Sequence, residues 1–483
     1  MKSRLSSFVN ILSFGLLIIV VAGCKPHLST SVVMAPSVQH SDSQIDPLLI
    51  PNDTSSIVFE NLRYSRPVLD LYRYEHYAPI WLENELRTDK ADSMILMIMS
   101  ARKYGLLPHR YHFHEIPDLV LEPRDRMKMI RLDVVLTDAF LAMAHDLKYG
   151  CLQEQKENVK FDTLELVGLT DSIRTSGVRV VLESYEPIHA GYKSLKQALN
   201  ALLDSVNLVD QNLLISGITV DSSEVHRKVQ RIEINLERWR TEKQPLDKLY
   251  TWVNIPAYMF YVIENNEILM QSRIVVGTPV RQTPQFSSSI ECFTIFPYWY
   301  VPRKIAVEEY LPVIRKDTSF ITRNNFDVLD RSGKIQKPAS IDWKKYNANN
   351  FPFTLRQREG TENSLGIIKF VFDNPYAVFL HDTNAKKLFS RKVRALSHGC
   401  IRLEKASEFA HFLIKGNRAT ISSLMLDKYL SEKKRRTISL SSTIPIHIRY
   451  FTCEVRNDTL IFYDDVYQKD HALIRQLYKG YVF

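Results

Sequence analysis

Two short stretches of the chain carry the residue types that covalent catalysis needs. Ala377-Val378-Phe379-Leu380-His381-Asp382-Thr383 reads as a buried strand running into a polar turn. Downstream, Ser397-His398-Gly399-Cys400-Ile401-Arg402 sets a cysteine between glycine and a β-branched residue, just before an apolar helix with Ala406, Phe409, Ala410, Phe412 and Leu413. Backbone N–H groups near a helix start and a neighbouring imidazole stabilise a thiolate, so a lowered pKa is expected at Cys400. His381 and Cys400 are 19 positions apart, too far for one helix face but natural for facing sheet positions. A nucleophile and its base need reach in space, not adjacency in sequence. The competing reading is a buried, inert thiol with two incidental histidines, and residue types alone favour it.

The elements that must position these residues fall into blocks. From about 57 to 200 the pattern is helical: Leu132, Val135, Leu136, Ala139, Phe140, Met143 and Leu147 recur at three- and four-residue steps, and Gly150 offers a stop. Met94, Met97 and Met99 are expected to pack in its core. Charged amphipathic helices over 201–248 connect this block to the next. From 249 the period changes to two, with Asn265-Asn266 suited to a tight hairpin turn and strands at Ile274–Gly277, Phe293–Phe296 and Ile367–Phe372. The expected fold is therefore α+β and multidomain. A helical domain over 57–200 precedes a β-rich, sandwich- or barrel-like domain over 249–430, interrupted by an insertion at about 303–365, with a β extension over 431–483.

A length of 483 residues suits about three domains. Hydrophobic residues at 45% and charged residues at 24% are the balance of a soluble globular protein, which excludes disordered, collagen-like and coiled-coil classes. Lys and Arg number 63 against 54 Asp and Glu, so the surface leans basic and suits an anionic polymer or membrane. No phosphate-cradling glycine loop is visible. At the start, Lys2 and Arg4 precede an apolar run from Ile11 to Ala22, too short to span a bilayer comfortably but fitting a secretory signal. Val21-Ala22-Gly23-Cys24 looks like a bacterial lipobox. The expectation is a signal peptide over 1–23, lipidation of Cys24, a flexible tether over 24–56, and a periplasmic protein anchored to a membrane, inner or outer.

His381, fifteen intervening residues and then Ser397-His398-Gly399-Cys400 with Arg402 resembles the signature of L,D-transpeptidases with a YkuD-type catalytic domain. Val275-Val276-Gly277-Thr278-Pro279, Phe296-Pro297-Tyr298-Trp299-Tyr300-Val301-Pro302, Phe372-Asp373-Asn374-Pro375-Tyr376 and Leu380-His381-Asp382-Thr383 resemble its larger, scaffold-bearing subgroup. Tyr77-Ala78-Pro79-Ile80-Trp81 and Leu136-Thr137-Asp138-Ala139-Phe140 resemble that subgroup's scaffold. Two departures stand out. The short connector leaves no room for the subgroup's peptidoglycan-binding module, expected to be absent or a remnant. Arg402 also stands where the broader family often has Asn.

The resemblance implies a cysteine acyltransferase acting on peptidoglycan stem peptides, without cofactor or metal. Cys400 would be the nucleophile, forming a thioester with release of D-alanine from a tetrapeptide, and His381 the general base. The backbone carbonyl of Asp382 or Thr383 would orient His381, and His398 would orient or stabilise. N–H groups of Gly399 and Cys400 would form the oxyanion hole. Arg402, with Ser397, Thr383, Tyr298 and Trp299, would bind substrate, with a structural ion pair as the alternative for Arg402. The insertion would cap the site and exclude water, giving 3→3 cross-links, and carbapenem-type inhibitors would acylate Cys400. The same thioester route could instead serve an L,D-carboxypeptidase or attachment of a protein to peptidoglycan, and a silent wall-binding scaffold is the reading from another class. S-x-x-K at Ser100/Lys103 and Ser431/Lys434 without S-D-N or K-T-G disfavours a serine D,D-transpeptidase. His109, His112, His114 and Glu115 are expected in a solvated loop, not on a metal. Cys151, Cys292 and Cys453 are either buried thiols or disulfide partners. Nucleic acid is not an expected partner.

Overall fold

The computed structural model describes residues 57–152, 163–216, 222–242, 247–415 and 419–479. Cys24, the signal segment and the tether lie outside them. Among the described residues no helix is long and apolar enough to cross a membrane.

The longer helices of the N-terminal half are α1 (Ser65–Tyr74), α2 (Asp89–Met99), α3 (Arg126–Tyr149), α4 (Thr163–Ser176), α5 (Val178–Ser184), α6 (Ala190–Ser216) and α7 (Ser222–Arg240). α3 is the axis of this part. Asp125 caps its start by accepting from the N–H groups of Met127 and Lys128, and Gly150 follows its last residue. From Leu132 to Leu147 it is buried on every side, more than the single apolar face of its sequence pattern foretells, because helices and loops surround it. Its buried carboxylates are satisfied: Asp133 accepts from Trp81 N–H at 2.8 Å and Ile80 N–H at 3.2 Å. Asp146 takes both ends of the Arg63 guanidinium at 2.7 Å. Met94 and Met97 are core residues, while Met99 is exposed.

The second half is built of β1 (Leu249–Asn254), β2 (Met259–Glu264), β3 (Glu267–Gly277), β4 (Phe286–Ile295), β5 (Trp299–Tyr300), β6 (Phe326–Leu329), β7 (Ile335–Gln336), β8 (Thr354–Gln357), β9 (Ile368–Phe372), β10 (Leu380–His381), β11 (Ala395–Ser397), β12 (Ile401–Leu403) and β13 (Arg436–Arg449). Positive φ angles at Asn265 (50°) and Asn266 (68°) make the tight turn between β2 and β3. The large sheet runs β11-β3-β12-β10-β9-β4-β13-β1-β2, and β2 pairs again with β3. That second pairing closes eight of the strands into a barrel-like ring, with β11 flanking it on β3. Alternation sends Ile368, Phe370, Phe372, Leu380, Ile401, Leu403, Ile446 and Ile448 inward to a common core. The helix Ala406–Lys415 adds Phe409, whose ring lies 4.8 Å from those of Phe260 and Phe370.

The segment expected as a C-terminal β extension is different. β13 lies inside the ring between β4 and β1, so the barrel is incomplete without it. A hairpin of β14 (Cys453–Arg456) and β15 (Thr459–Phe462) and a helix (Asp470–Leu477) then return to α7. Strand order is set by which edges the ring leaves open, and a linear pattern does not carry it. The connecting helix α7 is likewise clamped to the barrel: Trp239 stacks on Trp252 of β1 at 5.4 Å, and Arg238 meets Asp470 at 2.7 Å.

The insertion forms a separate small sheet, β5-β8-β6-β7, with its own core around Ile305, Leu311, Ile314, Phe326, Trp343 and Leu355. A π-helical turn, Ala306–Tyr310, leads into the helix Leu311–Lys316 and points its acidic residues toward the barrel.

Candidate active site

Register places the chemical residues together. β10 and β12 are parallel neighbours with Leu380 opposite Ile401 and His381 opposite Arg402, while β9 sets Lys369 opposite His381. Leu380, Ile401 and Leu403 fill the core, so His381, Arg402 and Lys369 stand on the other side of the sheet. Cys400 immediately precedes β12 and opens onto the same cleft. Cys400, His381 and Arg402 line one cleft of about 350 Å³, roofed by Trp299, Ile305 and Tyr310 of the insertion.

His381 is buried, and its Nδ1–H donates to the carbonyl of Asp382 at 2.5 Å, which leaves Nε2 as the basic nitrogen. The Asp382 carboxylate is itself held by Ile367 N–H at 3.0 Å and by the Lys386 ammonium. Gly366 is required here: its φ is +62°, and a Cβ would collide with the Asp382 carboxylate. Burial pushes the His381 pKa down, and the positive charges of Arg402 and Lys369 push it further, to about 3. At neutral pH the ring is an uncharged base.

The expected lowered pKa of Cys400 is overturned: burial pushes the thiol up, and the nearby Phe379 backbone, Lys369 and Arg402 offset this only in part. Residue types near the cysteine foretell stabilising groups but not desolvation. The resting state is a neutral thiol and a neutral imidazole lining one cleft. The loop that carries it is stapled internally. Ser397 Oγ donates to Cys400 O at 2.6 Å and accepts from Gly399 N–H at 3.1 Å. Gly399 has φ +117°, a conformation that favours glycine. Its N–H is therefore committed to Ser397, whereas Cys400 N–H, the other expected oxyanion donor, has no bonded acceptor among the described residues. Below the loop, Thr283 Oγ donates to Gly399 O at 2.8 Å and accepts from Gly277 N–H at 2.9 Å, and Tyr467 donates to Gly277 O at 2.8 Å.

Other expected residues are distributed differently. Trp299 lines the cleft, but Tyr298 lies outside it, its ring between Arg356 at 4.6 Å and Arg435 at 5.6 Å. Thr383 is buried and its hydroxyl accepts from Ala385 N–H, so it is a turn residue and not a substrate contact. The strand ends at His381, and alternation no longer governs the residues beyond it. Ser397 borders the cleft with its hydroxyl turned into the loop. Arg402 makes no ion pair among the described residues, and its buried Nε has no acceptor, which disfavours the structural ion pair.

His398 is half-exposed and meets Glu309 of the insertion at 2.8 Å. Glu309 also takes Arg281 at 2.6 Å, and Glu308 takes it at 3.2 Å, so one cluster ties insertion to catalytic loop. Burial opposes ionisation of Glu309, but Arg281 and His398 outweigh it and hold the carboxyl below its usual range. Glu309→Gln is expected to lower kcat/KM about tenfold, roughly one charge-assisted hydrogen bond, with the circular dichroism spectrum unchanged. Thr283, Tyr467, Glu309, Gly366 and Lys369 are not foretold by the sequence; each acts across a long sequence separation and leaves no local motif.

Among the described residues no cluster of His, Cys, Asp or Glu could hold a metal, and Cys151, Cys292, Cys400 and Cys453 are free thiols. His112 and Glu115 serve as structural pairs: the His112 ring meets Asp138 at 2.7 Å, and Glu115 pairs with Arg131 at 2.6 Å.

Comparison with known proteins agrees with this architecture. Residues 248–421 match the model of the YkuD L,D-transpeptidase catalytic domain, and residues 66–199 that of a scaffold domain. A curated Haemophilus influenzae protein described as a "Putative L,D-transpeptidase" is 31% identical over 430 residues, 87% of this chain and 81% of its own. Solved structures also match. One titled "Structure of the Ldtfm-avibactam carbamoyl enzyme" is 11% identical at a TM-score of 0.20, over 42% of this chain and 49% of its own. An L,D-transpeptidase from Mycobacterium smegmatis is 13% identical at 0.19, over 42% and 58%. The chain spans about half to three-fifths of these solved chains. The protein belongs to the L,D-transpeptidase family, enzymes that act on peptidoglycan, and it combines their YkuD catalytic domain with a scaffold domain.

Proposed function

We propose that the protein forms 3→3 peptidoglycan cross-links through a thioester on Cys400. What carries the proposal is the one capped cleft that Cys400, His381 and an unpaired Arg402 line together. As the sulfur attacks the carbonyl of the third, L-configured centre of a donor tetrapeptide, its proton passes to His381 Nε2. The C–N bond to terminal D-alanine then breaks, and the same proton leaves with the amine. An amine of a neighbouring stem attacks the thioester, His381 accepts its proton, and that proton returns to sulfur as the new amide forms. A base so placed contributes ~10²- to 10⁴-fold. Cys400 N–H is the oxyanion donor, a role worth roughly 3 kcal/mol. Arg402, with its free Nε, takes a carboxylate of the donor stem. The closed insertion limits water and favours the amine acceptor.

The protein is further proposed to be a periplasmic lipoprotein anchored through Cys24, on the strength of the lipobox-like Val21-Ala22-Gly23-Cys24 alone. Carbapenem-type inhibitors are proposed to acylate Cys400. Mass spectrometry of products from purified protein and disaccharide-tetrapeptide tests the reaction. Tetrapeptide–tripeptide dimers with a 3→3 link are the expected product. Tripeptide monomers alone would replace this reading with an L,D-carboxypeptidase.

A further inference from the structure

Lys369 is placed as no packing requirement explains. On β9 it faces outward, opposite His381 on β10 and Thr294 on β4. Its side chain is half-buried, yet it has no carboxylate partner and no hydrogen-bond acceptor among the described residues. The ammonium lies instead over the Phe379 ring, 3.4 Å from its centroid. A partly desolvated cation seated only on an aromatic face is costly to hold compared with an apolar side chain of similar length, and such groups cluster where a reaction uses their field. Phe379 immediately precedes β10, and its carbonyl accepts from Ile401 N–H at 2.9 Å beside Cys400. The ring therefore seats the ammonium next to the reacting pair.

We infer that Lys369 is a positioning residue of the reaction, whose charge favours a thiolate at Cys400 and keeps the imidazole of His381 uncharged until it receives the proton of the sulfur. This inference rests on the proposed roles of Cys400 and His381. Its chemical sense is twofold. A fixed cation stabilises negative charge on sulfur, and it makes the imidazolium formed during acylation a stronger acid, which speeds proton delivery to the departing amine. The charges facing this pair are few. Arg402 on β12 acts in the same sense, and Arg435, before β13, adds positive charge near Lys369. Cys292 on β4 also lies within reach of the Lys369 charge, with Glu291 beside it. Tyr310 from the insertion faces Arg402, while Glu309 is neutralised by Arg281 and His398. Removing the ammonium leaves Arg402 alone beside the imidazole.

The pH dependence of Cys400 alkylation by iodoacetamide, read on the Cys400 peptide by mass spectrometry after digestion, tests this. Lys369→Met is expected to shift the midpoint to higher pH by about one unit, the effect of a nearby charge. It should also lower acylation by a carbapenem about tenfold at pH 7, while Lys369→Arg stays close to wild type. Lys369→Gln gives the same reading if the Met variant folds poorly. An unshifted midpoint in both neutral variants, with the fold intact by circular dichroism, overturns the role of Lys369. A carbapenem adduct that persists in Cys400→Ala would instead overturn the underlying assignment of the nucleophile.

Discussion

Cys400→Ala is expected to abolish cross-link formation, a loss of at least ~10⁴-fold in rate, while leaving the fold and the melting temperature close to wild type. The reasons are geometric. Cys400 sits on a loop whose hydrogen bonds are made by its backbone and by Ser397, Gly399 and Thr283, and its sulfur adds a long 4.0 Å contact with Ala377 O and an interaction with the Phe379 backbone. Removing that sulfur takes away the bond-forming atom but none of the staples. Product analysis by liquid chromatography and mass spectrometry reads the loss, and thermal unfolding reads the intact fold. Dimers formed at wild-type rate by the alanine variant would mean that the acyl group travels by another residue.

His381→Gln is expected to lower acylation by about 10³-fold and to alter the response to acid. Gln can keep a donor near Asp382 O but offers no basic nitrogen to the thiol, and the thiol is held protonated by burial. The pH effect has a definite sign. In the folded protein His381 binds a proton only near pH 3, whereas an unfolded chain binds it near 6.5. Between those values the unfolded state holds more protons, so this residue contributes stability above pH 6.5 that is lost progressively as pH falls toward 3. Urea unfolding at about pH 7 and about pH 4.5, on either side of the unfolded-state value, should show a smaller acid destabilisation in His381→Gln than in wild type. Equal loss in both would mean that the ring is not held neutral by its surroundings.

Much of this was legible in the linear order of residues, where a period or a fixed spacing decides. The helical stripe of α3, the Asn265-Asn266 hairpin and the strands around Ile274, Phe293 and Phe370 follow from periods of 3.6 and 2. His381 and Cys400 stand in a compact spacing that points to facing strands. What depended on closure of the barrel was hidden. β13 enters the ring from the far end of the chain, and Tyr467 reaches back to Gly277, a separation of 190 residues. The pKa of Cys400 escapes a sequence reading because neighbours in sequence reveal charge and not desolvation. Thr383 and Tyr298 resemble substrate contacts because they adjoin motif residues, yet one turns into the fold and the other lies beyond the cleft wall. Lys369 looks like any outward lysine on a strand until register sets it opposite His381.

The most direct test is intact-mass spectrometry of the purified protein quenched within seconds of mixing with disaccharide-tetrapeptide, followed by peptide mapping. A mass gain equal to the donor less one D-alanine, located on Cys400 and removed by hydroxylamine as a thioester is, is the predicted result. Turnover to cross-linked product with the thiol of Cys400 unmodified throughout and still open to alkylation would contradict it.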